Sequence, residues 1–233
     1  MKHGIESDLG NTERLHSFTE HTLGCLASNI KNGILKNPSQ KRVRVVAIGG
    51  YNALGKSALA VELSAQLGEA TILPTDSFLP DRKTRRELGL PDDDPATLDT
   101  DGLTDALQKL QEGKYAFIRP YDHSTGQHLN LTRLVPSRFI ILDGTSSLHP
   151  NISSFVDFRI FLSAQPDVLL ELLRQTCLNE RNYSEDEFNK FWDEYRSSSR
   201  EFVNPTKRYA HVVDVTLSRK FKSPLIRTCS ESG

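Results

Sequence analysis

Cysteine is scarce in this chain of 233 residues. Cys25, Cys177 and Cys229 stand far apart and follow no metal-binding or redox spacing. They read as small buried hydrophobes or idle thiols rather than as a framework. Long apolar runs are missing too. No stretch approaches the roughly 20 apolar residues of a membrane-spanning helix, and the N-terminus lacks the apolar core of a signal peptide. A cytoplasmic protein without membrane partners is expected. There is no excess of either charge: the net value is -1, so no global field favours nucleic acid or a membrane surface. Internal repeats and low-complexity segments are also absent.

What remains is an ordinary globular composition, 37% hydrophobic and 25% charged, enough for one sizeable core. Residues 1–11 are polar. Between residues 12 and 33, Leu15, Phe18, Thr22, Leu26 and Ile30 recur at three- to four-residue spacing, which predicts an amphipathic helix stopped near Gly33. "KNPSQKR" reads as a linker. "VRVVAIGG", "TILPTD", "RFIILDG" and "FRIFLS" read as buried strands. "KSALAVELSAQLG", "TDGLTDALQKLQEG", "PDVLLELLRQTCLNE" and "SEDEFNKFWDEYRSSSREF" read as helices. The charged, proline-punctuated stretch 81–99 reads as a long surface loop. Strands alternating with helices predict an α/β fold with a parallel sheet covered on both faces. On the last helix, Phe188, Phe191 and Trp192 have the spacing of core residues rather than of a base-stacking platform.

The chemistry starts between the first strand and its helix. Gly50-Tyr51-Asn52-Ala53-Leu54-Gly55-Lys56-Ser57-Ala58 keeps the frame Gly-x-x-x-x-Gly-Lys-Ser of a phosphate-binding loop. In such a loop, backbone N–H groups and a helix N-terminus wrap phosphates. Lys56 would reach the outer phosphates of ATP and Ser57 would ligate Mg2+. The bulky centre departs from the usual small residues, yet those positions contribute mainly backbone. An ordinary strand–turn–helix with a surface lysine is the bland alternative, and the correct flanks on both sides argue against it.

Two carboxylates extend the pattern. Asp143 ends the apolar run "FIILD", where a carboxylate can orient Mg2+ or simply make an Asp-Gly turn. Asp76 in "PTDSFLPD" falls at the C-terminal end of a strand, where open α/β sheets bind ligands. It can take a proton from an attacking hydroxyl, or it can cap a turn with Ser77.

With these residues in view, the chain resembles the uridine kinase and phosphoribulokinase family of phosphate-loop kinases from about residue 43 to 215. "GGYNALGKSA" stands at its phosphate loop, and "TDSF" is similar to its Asp-Ser-Phe-Tyr motif. "DDPATLD" is similar to its Asp-His-Pro-Asp-Ala-Phe-Asp segment, and "RPYDHSTGQHL" to its Pro-x-Tyr-Asp stretch. "LDGTSSL" corresponds to its Glu-Gly-Ile-Leu-Ala element. "REFVNPTKRYAHVV" resembles its Glu-Phe-x-x-Pro-Thr-Lys-x-Tyr-Ala-Asp signature. Six motifs in the right order carry the likeness.

The resemblance implies a three-layer P-loop fold with a five-stranded parallel sheet, a small β-hairpin region and a helical lid. It implies an N-terminal extension and linker over 1–40, a kinase domain over 41–217 and a tail over 218–233. Asp76 would be the general base. Asp93 and Tyr121, with His123 nearby, would meet the acceptor. Arg174 and Arg181 would belong to the lid, and Lys207 and Arg208 would lie near the nucleotide. The implied activity is ATP- and Mg2+-dependent phosphorylation of a small molecule, foremost the 5′-hydroxyl of uridine or cytidine. Another ribosyl compound, a sugar or a vitamin is a second acceptor class, and a nucleotide-binding regulator without turnover is a third reading. The oligomeric state, a homo-oligomer included, is left open. Departures from the family pattern fall at Leu79, Asp94, Gly126 and Glu171, on base and lid contacts.

Overall fold

Arg44–Gly50 and Phe139–Asp143 are buried at every position, so the sheet they share has to be covered on both faces. The computed structural model describes residues 23–37, 41–68, 70–91 and 93–214. These form helix α1 (Leu23–Lys36), strand β1 (Arg44–Gly50), helix α2 (Lys56–Gln66) and strand β2 (Thr71–Pro74). Helices α3 (Arg82–Glu87) and α4 (Thr100–Gln111) follow. Next come the short strands β3 (Ala116–Ile118), β4 (Tyr121–Asp122), β5 (Gln127–His128) and β6 (Thr132–Leu134). Strands β7 (Phe139–Asp143) and β8 (Phe158–Leu162), helices α5 (Pro166–Asn179) and α6 (Glu185–Ser198), and strand β9 (Val212–Asp214) complete the order.

The main sheet runs β2-β7-β1-β8-β9, and every pairing in it is parallel. Alternate residues of β1 feed opposite layers. Val46 and Ile48 pack with Leu59, Leu63, Ile30 and Ile34 on one face. Val45 and Ala47 pack with Leu103, Leu107 and Leu110 of α4 on the other. The register sets Ile48 and Pro74 both beside Asp143. The carboxyl ends of β1, β2 and β7 therefore converge, and that is where open α/β sheets bind ligands.

The sequence pattern is corrected in three places. Helix α1 continues past Gly33 to Lys36, because Ile34 is fully buried and carries the apolar face on. Burying Ile30 and Ile34 is worth about 1.5–3 kcal/mol each, which outweighs the roughly 1 kcal/mol cost of an internal glycine. The earlier part of that expected helix, 12–22, lies outside the described residues, as do 38–40 of the linker and the tail with Cys229. The second strand stops at Pro74, and Asp76 lies on the 3-10 turn that follows. The stretch 81–99 contains helix α3, whose Arg85 is buried, so tertiary packing overrides its loop-like composition. Two antiparallel pairs, β3–β6 and β4–β5, form the hairpin region. No helix among the described residues is long and apolar enough to cross a membrane.

Candidate active site

The loop after β1 is shaped by backbone that only a few residue types tolerate. Gly50 has φ 119°, and a Cβ there would lie 2.1 Å from the Leu162 carbonyl oxygen of β8. Ala53 and Gly55 also take positive φ, 60° and 73°. The bulky centre fits because its side chains leave the loop's concave face. Leu54 is buried in the core. The Tyr51 ring meets Phe161 edge-on at 5.5 Å, and its hydroxyl donates to Asn204 Oδ1 at 2.9 Å. The Asn52 N–H donates to the Tyr195 hydroxyl at 3.0 Å. Lys56 opens α2 and is buried, with Nζ donating to the Tyr51 carbonyl at 2.9 Å. Burial pushes its pKa below the ordinary lysine value, against Asp143, Asp76 and Asp93, whose charges favour the ammonium.

Asp143, at the end of β7, and Asp76, on the 3-10 turn after β2, both act on this lysine. Burial raises the Asp143 carboxyl above the usual range, although the Ser57 hydroxyl and the Lys56 charge oppose the shift. Its Oδ1 is buried without a hydrogen-bond partner. A buried, unpaired carboxylate oxygen beside a serine hydroxyl suits a magnesium ion. Magnesium keeps several waters and takes only one or two protein ligands. Asp76 sits across Gly144, where an added Cβ would lie 1.9 Å from Thr75 Oγ1 and 3.4 Å from Asp76 Oδ1. His123 Nε2 lies 3.1 Å from Asp76 Oδ2. Burial raises the Asp76 carboxyl, but the His123 hydrogen bond and the charges of His123, Lys56 and Arg85 outweigh it, leaving its pKa below the ordinary aspartate value. At neutral pH Asp76 is therefore ionised, as a proton acceptor has to be.

Asp93 is buried and accepts from Ser198 Oγ at 3.1 Å. Its charge acts on Lys56 and on Tyr195, so it belongs to the same centre. The Tyr121 hydroxyl accepts from Arg85 Nη2 at 3.1 Å, and its ring packs edge-on against His123 and His128. The departures acquire reasons. Gly126 closes the β4–β5 turn at φ 75°, where a Cβ would lie 2.7 Å from that of Arg82. Asp94 caps a 3-10 turn by accepting from the Ala96 N–H at 2.8 Å. Leu79 is a core residue, and its carbonyl is 2.7 Å from His128 Nε2.

The two lid arginines part company. The Arg181 charge acts on Lys56 and Tyr195, and its Nε is buried without a partner, which places it at the centre. Arg174 instead bonds Glu185 through Nε at 3.1 Å and through Nη2, tying α5 to α6. The exposed Glu171 carboxylate accepts from Gln175. Arg208 engages its neighbour Tyr209. Phe188 is buried as expected, while Phe191 and Trp192 are half-buried. Three residues at the centre were not singled out from sequence: Arg85, Tyr195 and Ser198. The i, i+3 spacing of Tyr195 and Ser198 was the available signal.

Residues 45–220 match the sequence profile of the Phosphoribulokinase / Uridine kinase family. The chain belongs to this family. It is 28% identical over 184 residues to Uridine kinase-like protein 4 of Arabidopsis thaliana, a match covering 75% of this chain and 39% of that protein. The chain thus spans well under half of that relative. It is 27% identical to the uridine kinase of Clostridium perfringens, covering 74% of this chain and 87% of the other. The structure of a possible uridine kinase from Bacillus stearothermophilus superposes with a TM-score of 0.58 at 23% identity, over 81% of this chain and 96% of that one. That likeness concerns the fold. This member of the phosphoribulokinase/uridine kinase family is accordingly a phosphate-loop kinase, a transferase built to bind a nucleotide.

Proposed function

We propose that the chain transfers the γ-phosphate of ATP, with Mg2+, to a primary hydroxyl, foremost the 5′-hydroxyl of uridine or cytidine. The observation that carries this reading is that Asp76, 3.1 Å from His123 Nε2 through Oδ2, and the buried Lys56 meet at the end of the phosphate loop. The new bond joins the acceptor oxygen to γ-phosphorus as the bond to the bridging oxygen of ADP breaks, and the hydroxyl proton passes to the Asp76 carboxylate. Lys56 and Arg181 hold charge that spreads over the transferring group. Ser57 and Asp143 would hold magnesium, which neutralises phosphate charge when bound. Asp93 and Tyr121 line the acceptor side, and His123 holds Asp76. The relatives named uridine kinase support kinase activity and suggest uridine as the first acceptor to try.

A second acceptor class, another ribosyl compound or a sugar, is favoured by Leu79 and Gly126, which offer no polar side chain to a base. Relative kcat/KM across uridine, cytidine, deoxyuridine, adenosine and free ribose decides between them. A site whose buried Asp93 bonds ribose hydroxyls should discriminate strongly against the deoxy analogue. Activity on free sugars alone would move the protein to the second class.

A further inference from the structure

Helix α6 reaches both halves of the site with two hydroxyls on one face. The Tyr195 hydroxyl accepts from the Asn52 N–H of the phosphate loop at 3.0 Å, and Ser198 Oγ donates to Asp93 Oδ2 at 3.1 Å. Both residues are almost fully buried, 2% and 4% exposed. The helix that carries them is fixed at its start and along its side. Ser184 and Glu187 form a complete capping box, and Glu185 takes the Arg174 guanidinium from α5. Directly after Ser198 the chain widens into a π-helical turn over Ser199–Val203, a rare conformation that is frequent at functional sites. The phenol lies in burial next to Asp93, which drives its pKa well above 10, so it remains a neutral hydroxyl throughout the working range. The Tyr195 ring stacks on Phe191 and Trp192, so its direction is set by packing as well as by the hydrogen bond.

We propose that α6 is a positioning helix for phosphate transfer: the Tyr195 hydroxyl sets the phosphate loop at Asn52, and the Ser198 hydroxyl sets Asp93. This rests on the kinase reading of the site. Tyr51 and Asn52 are two of the residues that depart from the small ones usual in such loops, and these two are tied to Asn204 and Tyr195. The bulky loop centre and α6 thus form one matched unit. Fixing one loop amide fixes the direction of its neighbours, and a displacement of about 1 Å at such a site costs roughly 10²-fold in rate. With both contacts on one helix, the donor and acceptor halves share a common reference.

The test uses the full chain with Tyr195→Phe, Ser198→Ala and Ser198→Thr. Affinity for Mg-ATP is measured by calorimetry without acceptor, followed by KM for ATP and uridine, kcat and Tm. Tyr195→Phe keeps the ring packing and should weaken ATP binding about tenfold, the worth of one hydrogen bond, with KM for uridine unchanged. Ser198→Ala should raise KM for uridine about tenfold with ATP affinity unchanged, and Ser198→Thr should restore it. Variants that shift only Tm, or that move both constants together, overturn the proposal. If wild type transfers nothing to uridine, the acceptor assignment fails separately. The ATP titration of Tyr195→Phe then decides: reduced affinity upholds the proposal and unchanged affinity overturns it.

Discussion

Gly144 joins the end of β7 to the site at φ 145° and ψ 167°. Holding a residue with a side chain in that region costs about 1–3 kcal/mol. In Gly144→Ala the new Cβ would also press on Thr75 Oγ1 from 1.9 Å. Thr75 is fully buried and cannot swing into solvent, so overpacking adds about 1–3 kcal/mol. The expected loss is thus about 2–6 kcal/mol, a large share of the roughly 5–15 kcal/mol that holds a domain of this kind. A second variant separates the two contributions. Thr75→Ala removes the clashing oxygen, and on its own it loses the 3.3 Å hydrogen bond to the Asp143 carbonyl, worth about 1 kcal/mol. In Gly144→Ala/Thr75→Ala only the backbone strain and that lost bond remain, so the double variant should be about 1–3 kcal/mol more stable than additivity predicts. Urea unfolding followed by circular dichroism reads all four proteins. A Gly144→Ala protein within about 0.5 kcal/mol of wild type, the range of a neutral surface change, refutes the reasoning. Strict additivity in the double variant refutes its steric half.

Lys56→Met keeps the aliphatic stem and removes the ammonium; initial rates should fall more than about 10²-fold while the melting curve stays cooperative. His123→Ala removes a hydrogen bond and a positive charge that hold Asp76 down, so the Asp76 pKa rises. If Asp76 is the proposed proton acceptor, it works ionised, so the acid limb of kcat/KM should move to higher pH, and an unmoved limb contradicts the pairing. Asp122 is held at about 2 by hydrogen bonds from Ser124 and Thr125. Its folded pKa lies below the unfolded value, so its contribution is present above about pH 4 and lost as pH falls through 2. The stability gap between wild type and Asp122→Asn, read by urea unfolding, should be full at pH 6 and shrink toward pH 2.

The sheet was legible because β1 and β7 are near-continuous apolar runs, the pattern expected of a parallel sheet covered on both faces. Lys56, Asp76 and Asp143 were legible for a related reason, since parallel strands put consecutive strand ends at one edge. Arg85 was hidden by the company it keeps. "DRKTRRE" has the composition of an exposed loop, and only packing against Pro80 and Tyr121 makes one of its arginines a buried group. Tyr195 and Ser198 escaped notice because their partners lie 143 and 105 residues away in sequence. Arg174 illustrates the converse. Resemblance assigned it to the lid, and it bonds Glu185 on the adjoining helix, a partner that helical periodicity within α5 does not reveal. Gly126 stood out as a departure from the family pattern, and the hairpin needs it for its turn.

Transfer of labelled γ-phosphate from ATP to uridine by wild type and by Asp76→Asn tests the central claim most directly. The Asp76 carboxylate acts on Lys56, and in the proposed mechanism its replacement should remove the proton acceptor and leave the nucleotide's own contacts in place. Wild type should form labelled uridine 5′-phosphate, and Asp76→Asn should lower turnover by roughly two to four orders of magnitude with ATP affinity unchanged. Undiminished transfer by a correctly folded Asp76→Asn protein, or ATP binding by wild type with no transfer to any alcohol acceptor, would contradict the account.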